Sequence, residues 1–175
     1  MNQQVIRHKY RNQLLATPPS KQIKVLMIGN NPREMGCLSI HLRNFRWKRF
    51  LVNATFDVDE GWRCAQYFKP DYILIDGSLD TSGIKEFVDH IRAHRVLRQS
   101  VIALLKEDNH SELIIPGVQD YLLKDNIESD TFAFDILSAI AHKLQEDRNQ
   151  VYQMVKPSSN SWVAQLFGKK EWVNN

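Results

Sequence analysis

Five short apolar runs alternate along this chain with stretches whose apolar residues recur every three or four positions, and that alternation leaves few folds open. The runs are Ile23–Ile28, Phe50–Phe56, Asp71–Asp76, Val101–Leu105 and Asp120–Lys124. The central one lies between Lys69-Pro70 and Gly77-Ser78, breakers that fix its length. Runs that are apolar throughout, with no polar alternation, suit strands buried on both faces of a parallel sheet. The intervening stretches predict helices. Met35, Leu38, Leu42 and Phe45 share one face, as do Trp62, Ala65 and Phe68. Ile84, Phe87, Val88 and Ile91 do so in a helix over 83–95. Phe132, Ile136, Ile140, Leu144 and Val151 do so in a long helix over 129–154. Strand and helix in strict alternation, with right-handed crossovers, predict an α/β chain: a doubly wound five-stranded parallel sheet covered on both faces.

Local signals agree with that order. Pro32 suits the first position of a helix, where no backbone donor is needed. Asp57 or Asp59 caps the second helix. Arg43, Arg46, Lys48 and Arg49 gather where the first helix ends, the end its dipole makes negative. Pro116-Gly117 confines residues 109–115 to a short helix.

The domain covers residues 22–146, with the last helix running on to 154. Residues 1–21 form a basic arm, in which Arg7, Lys9, Arg11 and Lys21 precede any acid and Pro18-Pro19 breaks the chain before the first strand. Residues 155–175 join a linker, Lys156-Pro157-Ser158-Ser159-Asn160, to an apolar segment with Trp162, Val163, Leu166, Phe167 and Trp172. A tethered apolar helix of this kind suits docking on a partner, with packing on its own domain or pairing in a homodimer as alternatives. At 175 residues and 43% hydrophobic, the chain can build one core without staples. No apolar run approaches the roughly 20 residues that span a bilayer. The polar N-terminus lacks the apolar stretch of a signal peptide, and Cys37 and Cys64 both fall in apolar helical patterns as reduced core thiols. The expected location is the cytoplasm.

Asp76 closes the central strand, and carboxyl ends of parallel strands line the crevice where such sheets bind ligands. Pro70-Asp71-Tyr72-Ile73-Leu74-Ile75-Asp76 resembles the strand that carries the phospho-accepting aspartate of response-regulator receiver domains, and Gly117–Lys124 resembles the segment ending in their characteristic lysine. Tyr121, three residues before Lys124, matches their switch aromatic, and Gly83 resembles the glycine opening their third helix. Over residues 22–146 the resemblance implies the flavodoxin-like (βα)5 receiver fold, a role in two-component signalling, Asp76 as phospho-acceptor, and Mg²⁺ as the ion that assists. The chain also departs from the pattern. Gly29 and Asn30, followed by Asn31, stand where receivers carry paired acids; Leu105 stands for the phosphate-binding Ser or Thr; Asp125 follows the lysine in place of proline. The segment from Leu105 to Gly117 is also short.

Those departures bear on chemistry. Moving a phosphoryl group onto a carboxylate requires neutralisation of the charge spread over its oxygens, and Mg²⁺ supplies most of it. Mg²⁺ prefers anionic oxygens, so Asp76 with the neutral amides of Asn30 and Asn31 predicts a weak metal site at most, with Asp80 and Glu34 as further oxygen sources. Leu105 supplies no hydroxyl for the phosphoryl group. Lys124 and Asp76 are expected to persist as a carboxylate–lysine pair. The expectation is a non-enzymatic pseudo-receiver with no resident cofactor, acting by protein–protein interaction on an unidentified partner, with a sensor kinase or a second copy as candidate partners. The alternatives are an active phospho-receiver with unusual Mg²⁺ ligation, and an adaptor for nucleic acid or acidic surfaces using the arm and Phe45–Phe50.

Other patterns carry less. His90 and His94 have helical metal-ligand spacing but no third ligand, so they read as a solvated helix face. Asn30–Glu34 opens a helix where an anion can bind, yet Gly29 and Gly36 do not make a dinucleotide fingerprint. No Ser-His-Asp or Cys-His set falls on neighbouring strand ends. Phe45-Arg46-Trp47-Lys48-Arg49-Phe50 mixes cations and aromatics, with Trp47 and Phe50 expected to begin a buried strand. Residues 147–175 are too few to hold a DNA-reading domain, so nucleic acid is disfavoured.

Overall fold

In the computed structural model, which describes residues 22–107, 114–127 and 129–155, every predicted strand forms. The strands are β1 (Ile23–Ile28), β2 (Phe50–Thr55), β3 (Tyr72–Asp76), β4 (Val101–Lys106) and β5 (Asp120–Leu123). The helices are α1 (Pro32–Arg43), α2 (Val58–Phe68), α3 (Thr81–Ala93) and α4 (Ser129–Val155). All strand pairs are parallel, in the order β2-β1-β3-β4-β5. The order reverses at β1, whose neighbours are β2 and β3, so the crevice of the sheet opens above the carboxyl ends of β1 and β3. Gly29 and Asp76 end up there, because Ile28 and Ile75 pair in register.

The helix caps follow from local chemistry. Asn31, Asp57 and Asp80 each accept a hydrogen bond from the backbone N–H three residues on, at Glu34, Glu60 and Gly83. Asp57 is thus the cap of α2. Gly83 is not the opening residue of α3, which starts two residues earlier at Thr81. Helix α2 stops at Lys69, whose φ of 52° is left-handed, and Pro70 prevents any continuation.

The sheet faces bury separate cores. On one face Val25, Met27, Tyr72, Leu74, Ala103 and Leu105 pack under α1 and the first part of α4. On the other, Leu26, Ile28, Ile73, Ile75, Ile102 and Leu104 pack under α2 and α3. The chain divides into two compact units, residues 1–143 and 144–175. Within the second, only the end of α4 is described.

Several sequence expectations need correction. Trp47 is 71% exposed: the chain between α1 and β2 turns there, and β2 begins only at Phe50. Cys37 is exposed on α1 while Cys64 is buried, so one core thiol exists where two were expected. Phe45 lies beyond the end of α1, yet it still packs on the core and meets Phe134 edge-on at 5.1 Å. Leu144 is 43% exposed despite sharing the period of Ile136 and Ile140. Lys124 falls just past β5, in a 3₁₀ turn over Lys124–Asn126. Most of the short helix expected over 109–115 lies outside the described residues, as do the N-terminal arm and the docking segment with Trp162, Leu166, Phe167 and Trp172.

A lysine-centred carboxylate pocket

Four charged side chains meet above the strand ends. The Lys124 ammonium donates to Glu34 Oε2 at 3.0 Å, to Asp76 Oδ2 at 3.2 Å and to Glu107 Oε1 at 3.0 Å. Each donor or acceptor arrives by a different route: Asp76 ends β3, Lys124 follows β5, Glu107 follows β4, and Glu34 lies in the first turn of α1. Asp76 is buried, whereas the Glu107 side chain is 70% exposed. The second oxygen of Asp76 accepts the Ser78 amide proton at 3.0 Å. Burial works against the charge on Lys124. Its hydrogen bonds to Glu107, Glu34 and Asp76 outweigh that and raise its ionisation above the ordinary lysine value.

The Mg²⁺ ion that receivers use does not fit the residues present. Gly29 offers no side chain. A Cβ placed on it would lie 2.9 Å from Met35 Cε and 3.1 Å from Asp76 Cβ, so Met35 fills the space a carboxylate would need. The Asn31 amide oxygen is already the cap of α1, and Asn30 is exposed in the turn beside it. The three carboxylates converge on an ammonium. Among the described residues no cluster of three His, Cys, Asp or Glu side chains is arranged to hold a metal ion.

Leu105 pairs in register with Asp76 and is buried in the core under α1 and α4. Tyr121 packs on the other sheet face. Its hydroxyl accepts from the Ile115 amide at 3.0 Å, and the Lys106 ammonium sits 5.2 Å from its ring centre. His90 and His94 both pack against Trp62, with ring centres 5.3 Å and 6.1 Å away, which accounts for their spacing without a metal. His90 borders a groove of about 290 Å³ between α2 and α3, which Asp57, Asp59, Asp80 and Glu86 make acidic.

Asp76 and Lys124 were legible as a pair, and Glu34 only as a loose oxygen source. Glu107 and Met35 were missed. The signal for Glu107 was present, since it directly follows a strand whose carboxyl end opens on the crevice.

No protein-family model and no curated protein matches the chain. Solved structures do. The receiver domain of the sensor histidine kinase PA1611 from Pseudomonas aeruginosa, described with magnesium coordinated in its active-site cleft, superposes with a TM-score of 0.57 at 22% identity, covering 70% of this chain and 99% of that one. The signal receiver domain of a modulated diguanylate cyclase from Desulfovibrio desulfuricans gives 0.54 at 23% identity, over 72% and 99%. The chemotaxis response regulator CheY4 of Vibrio cholerae gives 0.51 at 18% identity, over 72% and 98%. At these identities the likeness concerns architecture, and the chain has the fold of response-regulator receiver domains.

Proposed function

We propose that this chain is a stand-alone response-regulator-like protein that signals through protein–protein contact, with Mg²⁺-dependent phosphorylation of Asp76 weakened or lost. The observation that carries this reading is the Lys124 ammonium held at 3.0–3.2 Å by Glu34, Asp76 and Glu107. In that arrangement a fixed cation of the chain itself balances the buried Asp76. An incoming phosphoryl group would add negative charge beside Glu34 and Glu107, with no metal ligand pair to offset it. The Leu105 side chain offers no hydroxyl to hold the group, and Tyr121 is engaged with Ile115 on the far face of the sheet. Signalling then rests on surfaces, with the 155–175 segment as the proposed docking element and an unidentified protein as its partner.

The test is incubation of the full chain with Mg²⁺ and acetyl phosphate, followed by intact mass measurement. The expected spectrum shows the unmodified mass. A phosphoryl adduct that Asp76→Asn abolishes would make this an active phospho-receiver instead.

A further inference from the structure

The groove between α2 and α3 combines an aromatic lining with acids that no neighbouring cation balances. Trp62 and Phe87 supply its apolar surface, and Asp57, Asp59, Asp80 and Glu86 its charge, with no lysine or arginine among the lining residues. In the receiver pocket, by contrast, Lys124 balances the carboxylates. Asp57 and Asp80 each accept a cap hydrogen bond at the start of a helix. The Asp59 and Glu86 carboxylates are exposed and have no hydrogen-bond or ion-pair partner among the described residues.

A groove of this character fits a segment that is cationic and also carries apolar side chains. Residues 1–21 have that composition. Arg7, Lys9, Arg11 and Lys21 are cationic, no aspartate or glutamate occurs among the 21, and Ile6, Tyr10 and Leu14 interleave with the charges. The arm is tethered within reach. It precedes β1, whose Leu26 and Ile28 lie on the sheet face that α2 and α3 cover. Both helices start beyond the carboxyl ends of their strands, and residues near those helix starts line the groove. The groove therefore lies towards the end of the sheet to which β1 runs, roughly 20 Å from its first residue at the usual strand rise. Arg11 stands twelve residues before Ile23, a reach of up to about 40 Å. Such a tether gives an effective concentration on the order of 1 mM, at which individually weak exposed ion pairs can hold a segment.

We infer that the groove between α2 and α3 is the docking site of this chain's own N-terminal arm, with the cations of residues 7–11 on Asp59 and Glu86 and an apolar side chain of the arm against Trp62 and Phe87. Docking of this kind does not depend on the state of Asp76. The docked arm covers an acidic surface at the far end of the loop that leads from Asp76 to Asp80, and a basic partner reaches that surface only by displacing the arm.

The experiment is limited trypsin digestion of the full chain at low ionic strength, with peptides released after Arg7, Lys9 and Arg11 followed by mass. Cleavage in the arm is measured relative to cleavage after Arg63, which requires opening of α2. Asp59→Asn with Glu86→Gln removes two groove charges and leaves the caps at Asp57 and Asp80 in place. Arm cleavage should quicken by about tenfold in that variant. It should keep the parental rate in Asp89→Asn with Asp125→Asn, which removes the same charge outside the groove. The parental rate should also be independent of protein concentration. The proposal falls if the groove variant is cleaved no faster than the parent, the result expected of a groove reserved for a separate basic protein. It falls equally if the control pair quickens cleavage as much. Protection that grows with protein concentration would overturn docking within one chain and give the groove to the arm of a second copy.

Discussion

The Lys124 ammonium stands 3.2 Å from Asp76 Oδ2, and it is shared with two further carboxylates on the outer side of the pocket. Asp76 is buried, so this contact balances a charge that water does not reach. Lys124→Met therefore leaves a buried carboxylate beside Glu34 without its ammonium partner, keeping the Ser78 amide as a donor. Breaking a buried pair in this way costs about 3–5 kcal/mol, and the 18% exposure of the Lys124 side chain places this case near the lower figure. Urea unfolding of the variant at neutral pH checks it. A loss below about 1 kcal/mol would reduce the cluster to an ordinary surface ion pair. The raised ionisation of Lys124 also fixes a sign: its contribution is complete below the unfolded lysine value of about 10.4 and disappears as pH rises through the higher folded value.

Asp135, on α4, gives the fold a pH dependence of its own. Burial first, and the Asp120 carboxylate second, push it up to about 6. The folded chain therefore binds this proton more tightly than the unfolded chain, whose aspartates titrate near about 3.9. Stability from this group is complete below the unfolded value and is lost as pH rises through about 6. Because Asp135 is only half-buried, solvent screening reduces the effect to roughly 1 kcal/mol. Asp135→Asn should raise Tm near neutral pH and flatten the decline between about pH 4 and 7. A variant that declines as steeply as the parent would assign the dependence to other groups.

The five-stranded parallel sheet was readable because runs such as Tyr72–Asp76 are apolar on both faces, a pattern that few other architectures tolerate, and the receiver fold was readable through the resemblance carried by Pro70–Asp76 and Gly117–Lys124. Asp76 was readable for a related reason, since strand ends are fixed by the length of the run, whereas Lys124 was readable through the resemblance and falls just past its strand. Side chains that reach a site from a loop or across an element leave no such trace. Glu107 is one example, and Arg92 is another. Arg92 extends from α3 to the backbone oxygens of Gly117, Arg98 and Ser100, tying three segments together, and no period in the sequence announces it. Leu144 and Cys37 show the converse. Periodicity or an apolar neighbourhood says which way a side chain faces, but not whether anything covers it.

Two glycine substitutions should move stability in opposite directions. Gly117 has a φ of +90°, and a Cβ there would sit 2.9 Å from Val88 Cγ1 and 3.2 Å from Arg92 Cγ. Gly117→Ala therefore combines backbone strain with pressure on the Arg92 hub, at a cost of about 2 kcal/mol or more. Gly36 lies on the exposed side of α1 with nothing within 4 Å of a Cβ. Gly36→Ala should stabilise by about 0.5–1 kcal/mol through helix propensity. Chemical denaturation of the two variants in parallel separates the effects, and equal responses would contradict the left-handed turn at Gly117.

Gly29→Asp probes why a lysine balances Asp76 at the position where receivers carry paired acids. The new Cβ meets Met35 Cε, the free end of a flexible side chain, and also Asp76 Cβ, which is held by the strand. Met35 can move aside, so the chain should fold. It then carries a second carboxylate next to Asp76, and Lys124 must balance both along with Glu34 and Glu107. A destabilisation of about 2 kcal/mol is expected in the presence of a chelator. Paired with Asp76, the introduced carboxylate supplies the anionic oxygens that Mg²⁺ prefers, so millimolar Mg²⁺ should restore much of the lost Tm. Adding Met35→Ala, which clears the space for a hydrated ion, should enlarge the Mg²⁺ response, and the unsubstituted chain should show little response at this pocket. If Mg²⁺ stabilises the unsubstituted chain and Gly29→Asp to the same extent, with Asp76→Asn abolishing both effects, then Met35 and Lys124 do not keep the ion out.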